Sequence, residues 1–466
     1  MVFSSTIFLC VYLPLVLLGY YICPKRGRNL FLLIASLVFY AWGEPKYVLL
    51  MVFSILVNYI FGRLMDKYRA NTKRLKLMLV LSVIIDLGLL GVFKYTDFII
   101  TNINAAFGGN FDLLHIALPI GISFYTFQAM SYTIDVYRDD VRVQKNLIDF
   151  GMYITMFPQL IAGPIVRYSD VEDQLAQRSV TSGEFAEGVM RFVVGLGKKV
   201  LLANQIGAVW SEIYAMGGVS GALAAWVGAA AFTFQIYFDF SGYSDMAIGL
   251  GKMFGFKFPE NFNYPYRSVS ITDFWRRWHM TLSTWFKEYL YIPLGGNRRG
   301  LARQALNLLI VWSLTGFWHG AGWNFIMWGL YYFVILFVEK LFLLKALDKT
   351  PKFVRHIYAL FLIVIGWVIF ASDDVSVLLP YLGSMFGANG ALGGLDVYWL
   401  TTKGVLLIVC AVASTQLPKR LFVTATDKLG EKGAFAVRGV LTLVLLAVSM
   451  VFLIGDSYNP FLYFRF

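Results

Sequence analysis

The chain has 466 residues, 58% hydrophobic and only 15% charged, with a formal net charge of +12. A soluble protein carries about a quarter charged residues, so the composition excludes an ordinary soluble enzyme. Nor does the positive charge point to nucleic acid, because the basic residues cluster in loops between apolar runs, where they set membrane orientation.

Apolar runs recur along the chain, at 3–23, 46–62, 77–93, 114–134, 357–371 and 436–454. A spanning helix needs roughly 20 mostly apolar residues. The pattern predicts an all-α polytopic membrane protein with roughly eleven transmembrane helices. The first run ends in Cys23-Pro24-Lys25-Arg26 with no cleavage site after it, so it reads as a retained helix. Basic loops at 25–28 and 63–76 contrast with 372–403, where Asp373, Asp374 and Asp396 face Lys403 alone. The positive-inside rule then puts both termini outside. Cys10, Cys23 and Cys410 have neither disulfide nor metal-ligand spacing.

Up to Asp135 five crossings alternate cleanly. Within 135–252, three apolar stretches (148–166, 189–213 and 221–250) would break the parity if all crossed. Pro158, Gly163 and Pro164 interrupt the first, which reads as a re-entrant or broken helix buried in protein. The stretch 252–303, with nine basic residues against three acidic, is too polar to cross. Phe274, Trp275, Trp278, Trp285, Phe286 and Tyr289 recur there at helical spacing among Arg276, Arg277 and Lys287, which predicts cytoplasmic surface helices. From 304 to 338 the chain enters and returns, with His319 deep and close to the turn. The whole reads as one integral-membrane domain: N-terminal helices 1–134, a catalytic core 135–338 and C-terminal helices 339–466.

Seven of twelve tryptophans and two of four histidines lie between Trp275 and Trp328. Most of Trp312, Trp318, Trp323 and Trp328 read as a membrane-interface belt; the rest could line a cavity for an acyl ligand. An intramembrane histidine is functional by default. His319, between tryptophans and near Gly316, Gly320 and Gly322, could take a proton from an attacking hydroxyl. His279 by itself reads as interfacial, although the cations beside it suit a phosphate-bearing donor. Asp239 and Asp245 on the 232–251 helix must find partners, either bonding helices together or lining a polar tunnel. Gly295-Gly296-Asn297 precedes Arg298 and reads as a turn, not a phosphate loop; no GxSxG element or zinc-ligand cluster appears.

Several stretches resemble one family, the membrane-bound O-acyltransferases. They are FPQLIAGPIVRYSDVEDQL at 157–175, YFDFSGYSDMAIGLG at 237–251, NFNYPYRSVSITDFWRRWHMTLSTWFKEYLYIPLGGNRRG at 261–300, GFWHGAGWNFIMWG at 316–329 and NPFLYFRF at the end. The likeness is strongest to members that acetylate bacterial exopolysaccharides. It implies a multi-pass protein of the bacterial cytoplasmic membrane with a central tunnel. His319 would be the main acid/base and His279 a second site histidine. Arg276, Arg277 and Trp278 would hold the donor, acetyl-CoA; Trp318 and Asn324, with Asp239 and Asp245, would line the tunnel. No bound cofactor or metal is implied. The acceptor would be an exported polysaccharide such as alginate, helped by an extracytoplasmic accessory acetyltransferase reached through Tyr463-Phe464-Arg465-Phe466. D-alanyl transfer to teichoic acid stays open, as does a transporter in which Asp239, Asp245 and His319 form an ion path.

Overall fold

A computed structural model describes residues 1–216, 221–393, 396–455 and 462. Among the described residues it is helical throughout, with no strand. The helices are α1 (Leu13–Ile22), α2 (Arg28–Ala41), α3 (Val48–Lys67), α4 (Thr72–Phe107), α5 (Ile122–Arg138), α6 (Leu147–Thr155), α7 (Phe157–Leu160), α8 (Tyr168–Ala176), α9 (Ser182–Gly197), α10 (Asn204–Tyr214) and α11 (Ala222–Met253). Then follow α12 (Ile271–Trp275), α13 (Met280–Phe286), α14 (Leu301–His319), α15 (Trp323–Val338), α16 (Leu344–Leu347), α17 (Lys352–Ala371), α18 (Val375–Met385), α19 (Asp396–Ala413), α20 (Leu417–Asp427) and α21 (Gly430–Gly455). Seven helical stretches among the described residues are long and apolar enough to cross a membrane: α3, α4, α9 continued through α10, α11, α17, α19 and α21. This is a multi-pass membrane protein; the count of eleven is not reproduced by length and apolarity alone.

Two compact units emerge, one of residues 1–192 with 244–259, the other of 193–243 with 260–466. In the first unit α5 is central and nearly all of its residues are buried. It packs against α3 and α4. By contrast, α4 turns Ile84, Leu87 and Val92 outward, as a helix facing lipid tails does. Asn71 caps it by accepting the Arg74 N–H at 3.0 Å. The 77–93 run underestimates this helix: at 36 residues it is about 54 Å long, well beyond the hydrocarbon thickness. The helix expected over 114–134 begins only at Ile122.

The 148–166 stretch is broken as Pro158 predicts. Met156 separates α6 from α7 with an extended ψ of 109°. The Phe157 N–H released by the break donates to Ser36 Oγ at 3.1 Å. Residues 150–166 are buried, with Phe157 against Phe39, Tyr12 and Phe8 at ring separations of 5.4–6.2 Å. Irregular backbone survives here because protein, not lipid, surrounds it.

In the second unit the chain differs most from expectation. The rings of 274–289 are covered by protein rather than laid into lipid: Phe274, Trp275, Trp278, Trp285, Phe286 and Tyr289 are all buried. Helical spacing of aromatics marks a covered face in either setting, so the pattern could not separate protein core from interface. The belt reading fails in the same way, since Trp312, Trp318 and Trp328 are buried and only Trp323 is exposed, at 55%.

The 304–338 stretch doubles back on itself as the α14–α15 hairpin, turning at Gly320-Ala321-Gly322. Its helices touch backbone to backbone. A Cβ on Gly316 would lie 2.4 Å from the Phe325 carbonyl oxygen, and one on Gly329 equally close to that of Trp312. Only glycine allows this approach. On the outside, α19 and α21 expose Val405, Ile408, Leu443, Val451 and Ile454.

Asp239 of α11 is buried and paired with Lys199 at 2.7 Å, and its other oxygen accepts the Leu462 N–H at 2.9 Å. Lys199 sits in a π-helical segment, Lys198–Ala203, between α9 and α10. Two expectations follow. Gly329→Val forces the hairpin apart and lowers the midpoint of thermal unfolding in detergent by several degrees; an unchanged midpoint would contradict the close approach. Asp239→Ala removes the carboxylate that pairs with a buried ammonium and costs about 3 kcal/mol in denaturant unfolding, whereas Lys199→Met with Asp239→Leu recovers most of it.

Candidate active site

Within the second unit, residues far apart in sequence meet around the end of α14. His319 is the last residue of α14 and is 5% exposed. Its ring stands nearly perpendicular to three others: Trp318 at 5.0 Å, Trp328 at 5.1 Å and Phe370 at 5.2 Å between centroids. The Asn324 amide donates to the Phe370 carbonyl at 2.9 Å, joining the start of α15 to the end of α17 and fixing the ring that faces His319. Behind Trp328 lie Trp275, Trp312, Tyr332 and Trp367.

His279 faces neither lipid nor solvent. It is buried, with its ring edge-on to Phe240 at 4.7 Å and 5.9 Å from Trp318. Trp318 therefore touches both imidazoles, and the two histidines come together although 40 residues separate them. Desolvation, and after it the charge of nearby His319, hold His279 well below the usual histidine pKa, so it is neutral near pH 7. A neutral imidazole keeps one ring nitrogen with a lone pair that can accept a hydrogen bond or a proton, while its desolvation makes it a weaker base than a free histidine. Aromatic walls exclude water, and a thioester carbonyl is an uncharged group that such walls accommodate.

The other sequence-derived residues fall at several places. Trp278 is buried in a ring cluster, 4.6 Å from Trp367 and 5.0 Å from Phe262, and so is not at a cationic surface. Arg277 donates to Asp273 at 2.9 Å. Arg276 is exposed; Lys340 lies near enough that, after burial, Arg276 lowers the Lys340 ammonium pKa. Two neighbouring cations form a place where an anion is stabilised. Asp239 is held by Lys199, and Asp245, in the first unit, by Arg191 at 2.8 Å. Tyr463–Phe466 lie outside the described residues.

Sequence reasoning missed Glu339. Its carboxylate is buried and accepts the Ile271 and Thr272 N–H groups at 2.7 and 2.8 Å, the Thr272 hydroxyl at 2.6 Å and the Tyr358 hydroxyl at 3.1 Å. It thereby caps α12, which leads directly into Arg276–His279. An acid directly after a sixteen-residue apolar helix was the available signal.

Comparison with known proteins gives the family. The model of the membrane-bound O-acyltransferase family matches residues 39–379. A probable alginate O-acetylase of Pseudomonas putida is 42% identical over 489 residues, covering all of both chains. A peptidoglycan O-acetyltransferase of Helicobacter pylori is 37% identical over 425 residues, 84% of this chain and 80% of that protein. A teichoic acid D-alanyltransferase of Bacillus subtilis is 29% identical over 232 residues, 47% of this chain and 58% of that one. With a family match across most of its length and two histidines converging inside its helices, the chain belongs to the membrane-bound O-acyltransferases and is an acyltransferase.

Proposed function

We propose that the protein transfers an acetyl group from cytoplasmic acetyl-CoA, through the enclosure around His319 and His279, for O-acetylation of an exported polysaccharide such as alginate. The observation that carries this reading is the meeting of both imidazoles at Trp318, in a chain whose full-length relatives include a probable alginate O-acetylase. The partial likeness to a D-alanyltransferase covers under half of this chain and supports teichoic acid as acceptor less well. For the transporter reading, Asp239 and Asp245 would have to carry ions, yet each is engaged by a cation of its own unit.

The chemistry runs as follows. The oxygen of a hydroxyl attacks the thioester carbonyl carbon while His319 takes the hydroxyl proton. The tetrahedral intermediate collapses, the C–S bond breaks, and the thiolate leaves with the proton from His319. His279 supplies a second polar contact within the same walls. Arg276, with Lys340, meets donor phosphates, and Arg277 holds the loop through Asp273. Trp278 acts as packing behind His279, and Asn324 positions Phe370 against His319. The hydroxyl belongs either to the polysaccharide or to an extracytoplasmic accessory acetyltransferase. With the basic loops cytoplasmic, both termini face outward in the bacterial cytoplasmic membrane, and the tunnel runs from the Arg276 side past the histidines.

Two outcomes test this. With labelled acetyl-CoA and acceptor present, purified His319→Ala transfers acetyl at least about 100-fold more slowly than the parent, the size of a lost general base. Normal turnover would refute the assignment. Arg276→Ala raises KM for acetyl-CoA about tenfold with kcat little changed, the mark of lost ground-state binding; the same KM would remove Arg276 from the donor site.

A further inference from the structure

Asn261 is fully buried and lies in a stretch that runs beside the histidine loop. Two backbone hydrogen bonds join the segments: Met280 N–H to the Asn261 carbonyl at 3.0 Å, and Asn263 N–H to the Arg277 carbonyl at 2.9 Å. Between them His279 adopts a left-handed backbone, φ 43° and ψ 54°. That conformation costs a β-carbon-bearing residue roughly 1–3 kcal/mol and persists only where its surroundings impose it. The Asn261 side-chain oxygen then meets three groups: His279 Nδ1 at 3.0 Å, the Thr281 hydroxyl at 3.0 Å and the Thr281 backbone N–H at 3.4 Å.

The last of these settles the protons. A backbone N–H can only donate. The Asn261 amide must therefore present its oxygen, since the NH₂ end would set donor against donor. A carbonyl oxygen can only accept, so the His279 Nδ1 facing it must carry hydrogen. A neutral imidazole has one ring proton, which leaves the lone pair on Nε2. We infer that Asn261 is a positioning residue that locks His279 as the Nδ1–H tautomer, making Nε2 a hydrogen-bond and proton acceptor within the acyl-transfer site. This rests on His279 belonging to that site. It assigns His279 a direction: it can receive a proton from a hydroxyl or a thiol, and it cannot donate from Nε2 to a thioester carbonyl unless first protonated. An oxyanion donor must be found elsewhere.

The test uses full-length protein labelled with ¹⁵N-histidine, which contains four histidines in all. The His279 signals are identified by their loss in His279→Gln. The expected spectrum near neutral pH has a protonated Nδ1 and a bare Nε2 at this residue. A proton on Nε2 overturns the inference while leaving acetyl transfer by His319 untouched; full activity of His319→Ala would do the reverse. Kinetics supply a second readout. Asn261→Leu removes the acceptor and lowers kcat at least tenfold with little effect on KM. Asn261→Asp keeps an acceptor oxygen in place and retains most of the activity. Its carboxylate favours imidazolium, so a larger fraction of His279 is protonated at a given pH, and the acid limb of the pH–rate profile moves to higher pH. If the Asp variant is as inactive as Leu, or shows an unmoved acid limb, Asn261 has no part in holding that proton. Should the Leu variant fail to fold, the wild-type spectrum and the Asp profile decide the matter.

Discussion

An imidazole enclosed in an apolar membrane protein is costly unless its surroundings are built for it, and this requirement organises the second unit. His319 has rings on three sides, and those rings are held by contacts made well away from it. Gly316 and Gly329 let α14 and α15 touch at the backbone, which brings His319 and Trp328 to within 5.1 Å. Asn324 ties the Phe370 backbone down. Glu339 holds the start of α12, from which the chain runs through Trp278 into His279. Remove the close approach of the hairpin and the enclosure has no reason to form.

Charge is handled by the same logic. Three carboxylates find partners inside the protein: Lys199 for Asp239, Arg191 for Asp245, and four donors for Glu339. These groups join elements to one another. The proposed function assigns the donor phosphates to exposed Arg276 and to Lys340, which lies over the Tyr291 ring.

How much of this was legible in the sequence depended on whether a signal was local. The broken helix at Pro158 followed from proline and glycine, and the hairpin turning after His319 from an apolar stretch flanked by Arg303 and Lys340; such signals act locally. The ends of α4 and α5 did not: α4 continues through Lys94 and Asp97 to Phe107, where a hydropathy reading stops. The aromatic stretch at 274–289 and the tryptophans at 312, 318 and 328 had a covered face that periodicity reveals, but whether lipid or protein covers it depends on residues of other helices, such as Trp367 against Phe274, Trp278 and Trp328. His319 stood out as a candidate from its neighbours in the chain. The burial of His279, its contact with Phe240 and the hydrogen bond from its Nδ1 to Asn261 come from tertiary packing alone.

The central claim is that both imidazoles attend the same acyl carbon. The most direct measurement is a cryo-electron microscopy structure with a non-hydrolysable acetyl-CoA analogue bound. The acyl group should lie between His319 and His279, with its reacting carbon about 3–3.5 Å from the position an attacking oxygen would take beside His319. An analogue whose acyl end stops outside the rings of Trp318, Trp328 and Phe370, with both histidines untouched, would contradict it.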